Sequence, residues 1–147
     1  MKIAKLIVVL GGVSLLTGCG PGRKAQCDTL AQAQNQVRNT IMAQHQTRIG
    51  QPSYAQSHEL QMMQVMQQSA QTMQAVELKD KTLQELQARL VASYQNSSTI
   101  YQNTANLLPA AGSPSEAAMQ QVDTLHRQVD AGIPEAIHDF NLYCMGG

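Results

Sequence analysis

From residue 28 onward, apolar residues in this chain return every three or four positions, the period of a helix buried along one face. Strand-like alternation is scarce, and aromatics, which sheets favour, are only 3% of the residues. Gly and Pro cluster at a few points that cut the pattern into four segments. The first covers about 28–48, with Asp28 as N-cap and a stripe of Leu30, Ala33, Val37, Ile41 and Gln44 before Gly50 and Pro52 stop it. The second covers about 53–77. Ser53 and Gln56 match a capping box, and Leu60, Met63, Met66 or Gln67, Ala70, Met73 and Val76 form the stripe. The third, about 80–108, starts with Asp80 as cap and carries Leu83, Leu86, Leu90, Ser93 or Tyr94, Ser97, Ile100 or Tyr101, Thr104 and Leu107. Its polar second half predicts a weaker core there. The fourth covers about 113–144, with Ser113, Pro114 and Glu116 as cap, first-turn proline and first-turn acid. Its stripe is Ala118, Val122, Leu125, Val129, Ile133, Ile137, Phe140 and Cys144, and Gly132 with Pro134 predicts a kink or short break.

Helices of these lengths are roughly 30–45 Å long. The connections are short, so neighbours in sequence should run antiparallel. The expected fold class is therefore all-α, an antiparallel up-down-up-down four-helix bundle. Two other arrangements fit part of the pattern. One is an elongated helical hairpin that dimerises through its stripes. The other is a Gln-rich, prion-like tract over 56–74, against which the regular Met and Leu spacing argues.

The N-terminus has a different grammar. Lys2 and Lys5 precede an apolar run from Ile7 to Leu16. That run is too short for a hydrocarbon core, which needs roughly 20 residues, and reads as the h-region of a signal peptide. It ends in Leu16-Thr17-Gly18-Cys19, which resembles the lipobox of bacterial lipoproteins. The resemblance implies a signal peptide over 1–18, cleavage before Cys19, and acyl chains, palmitate among them, on Cys19. It also implies a periplasm-facing position on a membrane outside the cytoplasm; with the helical pattern starting at 28, the lipidated tether covers 19–27 and the folded domain 28–147. Several acyl chains anchor stably where one binds marginally. In enteric-type lipoproteins an Asp after the acylated Cys is the inner-membrane retention signal, so Gly20 slightly favours the outer membrane. Without Lys2 and Lys5, eight Lys and Arg remain against ten Asp and Glu. Arg23 and Lys24 follow the anchor closely, where they meet either anionic headgroups or water.

With Cys19 acylated in an oxidising compartment, Cys27 and Cys144 remain as a disulfide pair. Closing a loop of that size stabilises by roughly 4–5 kcal/mol in the chain-entropy account. It also demands Cα atoms within about 7 Å. An even number of long antiparallel helices brings the two ends together, and an odd number separates them. An eight-residue tether would hold that end within roughly 25–30 Å of the bilayer.

Composition narrows the chemistry. A net charge of +0, with 14% charged residues, supplies no basic face for a polyanion. No Trp and one Phe leave no stacking platform for single strands, so no nucleic-acid partner is expected. There is no Cys-x-x-Cys, nucleophile elbow, P-loop, dinucleotide fingerprint or Cys beside a catalytic His. The expectation is no enzyme and no cofactor. A di-iron bundle needs two Glu-x-x-His motifs and two further Glu, whereas only Glu135-Ala-Ile-His138 is present. His58, Met62 and Met66 recur every four residues, and imidazole with thioether suits Cu(I). Eight residues rise about 12 Å, however, so at most two of the three reach one ion. Met at helical spacing also commonly fills a core. His45 and His126 lie far from these in sequence.

What remains is surface. Gln occurs 21 times, and the polar faces are rich in amides and hydroxyls and poor in charge. Such a surface costs less to desolvate than a charged one and suits a protein partner. The segment from Val76 to Gln87 and the terminal Asn141-Leu142-Tyr143-Cys144 are loosely similar to uncharacterised helical lipoproteins of cyanobacteria, a resemblance that implies no activity. The leading expectation is a non-enzymatic, membrane-anchored accessory or interaction protein of an envelope or membrane complex. The alternatives are a periplasmic copper-binding protein using His58 with Met62 or Met66, and a general structural lipoprotein of the cell envelope.

Overall fold

The computed structural model describes residues 22–47, 49 and 54–145. The expected signal peptide, Cys19 with its lipobox, the Gly50 and Pro52 stop and the Ser53 cap lie outside the described residues. The described chain is all-α. Four helices follow one another, α1 (Arg23–Gln46), α2 (Gln56–Gln74), α3 (Lys81–Leu107) and α4 (Glu116–Met145), with no strand among the described residues.

The start of α1 corrects the sequence reading. The helix begins at Arg23 behind Gly22, not at residue 28, so part of the expected tether is helix. Asp28 is not a cap: it lies inside α1 and accepts a hydrogen bond from Lys24 Nζ at 3.0 Å. The cause is twofold. Arg, Lys, Ala and Gln at 23–26 are good helix formers, and the helical turn lets Gln26 and Cys27 bury themselves against the rest of the fold.

The first turn of α2 also differs. The helix begins at Gln56 behind Ala55, without a side-chain cap. Instead of closing a capping box, Gln56 Nε2 donates to the carbonyls of Ala105 and Leu108 at 3.0 and 2.9 Å. Those carbonyls lie at the end of α3, where helical acceptors run out of intrahelical donors. At its other end α2 stops at Gln74 rather than 77. Gln87 Nε2 donates to the Met73 and Val76 carbonyls, both at 2.7 Å, which fixes the chain as it leaves the helix.

Local capping decides the other two starts. Asp80 accepts from the Leu83 amide at 2.9 Å, so α3 begins where that carboxylate places it. The α4 cap is Ser115 rather than Ser113: Ser115 Oγ accepts from the Ala118 amide at 3.2 Å, and Glu116 takes the first helical position. Of the kink or short break expected at Gly132 and Pro134, the break does not occur. α4 runs as one helix with Pro134 inside it, and packing on both sides of the proline, by Val129 before it and Ala136 and Phe140 after it, keeps the segment helical.

The core draws on all four helices. Leu30 and Val37 come from α1, Met62, Met66 and Met73 from α2, Leu83, Leu90 and Tyr94 from α3, and Val129 and Phe140 from α4. Each such side chain contributes about 1.5–3 kcal/mol on leaving water. The buried face of α2 keeps Met66, Ala70 and Met73 of the expected stripe but is broader at its start. His58, Glu59, Met62 and Val65 are buried, while Leu60 and Met63 sit on its flank. The polar half of α3 is buried too, and two of its buried hydroxyls bond within the helix. Ser97 Oγ donates to the Ser93 carbonyl and Thr104 Oγ1 to the Ile100 carbonyl, both at 2.9 Å. Packing is closest between α2 and α3 and then between α3 and α4, whereas α1 lies on α2 and approaches α4 little. No helix among the described residues is long and apolar enough to cross a membrane.

Candidate functional site

The beginning of α1 and the end of α4 meet at one pole of the molecule. Cys27 and Cys144 are in disulfide geometry there, with Cα atoms 5.8 Å apart. Around them side chains of the same two helices are tied to the start of α3. Gln26, buried beside Cys27, accepts from the Lys79 amide at 2.6 Å and the Asp80 amide at 2.9 Å. Asp80 in turn accepts from the Tyr143 hydroxyl at 3.2 and 3.1 Å while capping α3. The Arg23 guanidinium lies 5.3 Å from the centre of the Tyr143 ring, a cation–π arrangement. One junction therefore joins the starts of α1 and α3 to the end of α4. The two cysteines announce it in the sequence. Gln26, Asp80 and Tyr143 do not, because a helical glutamine or tyrosine carries no mark of what it reaches across 53 or 63 residues of chain.

The middle and opposite end of the bundle hold the polar interior. Glu59, fully buried on α2, bonds through Oε2 to His126 Nε2 of α4 at 2.9 Å. Its Oε1 has no hydrogen-bond partner among the described residues. The Tyr101 ring packs at 5.6 Å from the His126 ring. Nearby, the Tyr54 hydroxyl donates to Asp123 at 2.9 Å. Tyr94 sits deeper on α3, where burial pushes its phenol up to about 12. A buried carboxylate on an imidazole is a form seen in acid–base sites. Here it joins two helices, and no nucleophile accompanies it among the contacts described.

His58, Met62 and Met66 are all buried along one side of α2, and Met62 and Met66 belong to the hydrophobic core. The sequence reading missed His45, whose ring at the end of α1 lies 6.4 Å from that of His58. Glu135 and His138 are both exposed on α4. No cluster of three or more His, Cys, Asp or Glu with metal-binding spacing occurs among the described residues.

Comparisons with protein-family models, with curated proteins and with solved structures give no match.

Proposed function

We propose that this chain is a non-enzymatic, lipid-anchored accessory or interaction protein of an envelope or membrane complex, facing the periplasm. The observation that carries the reading is the shared pole: α1 begins at Arg23, and Cys144 of α4 lies against Cys27. An acyl group on Cys19 would sit four residues from that helix. The junction would then stand within roughly 14 Å of the bilayer, about half the reach that an eight-residue tether would give. The sides of the bundle would remain free to meet a partner.

We infer further that the four helices alternate in direction, as an antiparallel up-down-up-down bundle. Supporting this, Gln56 at the start of α2 bonds to the end of α3, Tyr143 at the end of α4 bonds to Asp80 before α3, and Gln44 near the end of α1 donates to Gln61 early in α2. Co-purification from gently solubilised membranes, native chain against Cys19→Ala, tests the function. A stoichiometric partner that is lost with the anchor is expected. Recovery of the native chain alone overturns the interaction reading.

A copper-binding role has one observation in its favour, the approach of His45 to His58, with Met62 one helical turn further on. Stoichiometric copper in protein purified without chelators, lost in His58→Ala, is the expected result of that reading. A copper-free native chain would end it.

A further inference from the structure

The seam between α1 and α4 is open, because the two helices approach each other little along their length. It forms a groove of about 360 Å3, inside the usual range of about 300–1,000 Å3 for small-ligand sites. Ile41 and Met42 of α1 form one wall and Ile133 and Ile137 of α4 the other, with Tyr94 of α3 lining it between them. Met42 is 51% exposed, unusual for a large apolar side chain on this molecule.

Three polar residues of α1 line the same groove, Gln34, Asn35 and Arg38, together with Asn141 of α4. Gln34 and Arg38 are four residues apart and so lie on one face of the helix. Gln34 Nε2 is buried and has no hydrogen-bond partner among the described residues. A buried donor left unpaired costs about 1–3 kcal/mol, which an acceptor would recover once the side chain turned into the groove. Arg38 belongs to none of the ion pairs among the described residues. An unmatched cation and an unmatched donor, one turn apart, suit a carboxylate. Beyond Arg38 the α1 side of the groove continues for roughly 6 Å, the rise of the four residues to Met42, and Ile133 and Ile137 line a stretch of about 6 Å along α4.

We propose that this groove binds a medium-chain fatty acid, its carboxylate held by Arg38 and Gln34 Nε2 and its alkyl chain laid along Ile41, Met42, Ile133 and Ile137. The inference does not depend on the proposed accessory role, since it concerns a small ligand in the α1–α4 seam and not a protein partner.

Calorimetric titration of the purified full chain with decanoate tests it. One site per chain is expected. Arg38→Gln should weaken binding about tenfold, the loss of one charge-assisted contact. Met42→Gln should weaken it as well, while Leu142→Gln, at an exposed position that does not line the groove, should leave it unchanged. Decanol, with the same chain and no carboxylate, should bind the native protein about as weakly as decanoate binds Arg38→Gln. The proposal is overturned by the absence of saturable binding, by equal affinity for decanoate and decanol, or by an Arg38→Gln variant with native affinity. Binding that occurs only in Cys19→Ala overturns it too, because the groove would then belong to the chain's own acyl group.

Discussion

Opening the link between Cys27 and Cys144 gives the sharpest test of how this small bundle is held together. The two residues are 117 apart in sequence, so the bond closes nearly the whole domain into one loop. In the chain-entropy account a loop of that length restricts the unfolded state by about 4.9 kcal/mol at 25 °C. Unfolding entropy near 2.1 cal/mol/K per residue converts this, for a domain of roughly 120 residues, into a fall in Tm of about 15–20 °C. Thermal unfolding followed by far-UV circular dichroism, in Cys27→Ala/Cys144→Ala against the native chain, reads the effect directly. Cys27 is buried, so its replacement also removes some packing. The native chain melted in reductant separates the two contributions, because it opens the loop and keeps the side chain. Alkylation without reductant should leave both thiols unlabelled. A fall in Tm under a third of the expected value, in both experiments, would refute the reasoning. The hydrogen bonds of Gln26 and Tyr143 would then hold the junction by themselves, and the cysteines would add little.

Three other perturbations address the polar interior and the junction. His126→Ala should destabilise by about 3–5 kcal/mol by urea denaturation, since it strands the Glu59 carboxylate, whose side chain is 1% exposed; Glu59→Leu combined with His126→Leu should regain most of that loss. Tyr94 has a folded-state pKa raised from 10.0 to about 12, so its neutral form is favoured by folding. Its contribution is intact below pH 10 and is lost as the pH rises from there through about 12, so native stability should drop more steeply between pH 9 and 11 than that of Tyr94→Phe, by about 1.4 kcal/mol. Gln26→Ala removes the acceptor of the Lys79 and Asp80 amides and should cost about 1–3 kcal/mol, with faster amide exchange at those two positions as its local signature.

The parts of the fold visible in the sequence are those fixed within a turn or two of chain. Asp80 caps α3 because a carboxylate three residues before an amide can reach it whatever lies elsewhere. The stripes of α1, α3 and α4 reappear as buried or half-buried residues, since each faces inward along one line. Ser113 and Ser115 flank the same proline, and only the path of the incoming chain decides which of them caps α4. The extension of α1 back to Arg23 has no apolar stripe to announce it. It follows from the long-range burial of Gln26 and Cys27. α2 is the most altered because its broad buried face includes Glu59, and a glutamate between His58 and Leu60 gives no sign that a histidine 67 residues later awaits it. The groove between α1 and α4 was hidden for a related reason. Ile41, Ile133 and Ile137 read as ordinary stripe positions, and only the spacing of the two helices leaves them half-buried rather than closed over.

The glutamines that fasten the helix ends have a consequence of their own. Gln26, Gln56, Gln84 and Gln87 each bind backbone groups at a connection or at a neighbouring helix end. All four links are neutral. Dissolved electrolyte screens charges, with a reach of about 10 Å at 0.1 M, but has no charge here on which to act. Of the described ion pairs, Lys24 with Asp28 and Arg89 with Asp139 lie toward the surface, and neither is what closes a connection. These four fastenings therefore hold without reference to the salinity of the water around them, whereas the Asp80 carboxylate that caps α3 beside one of them carries a charge on which salt can act.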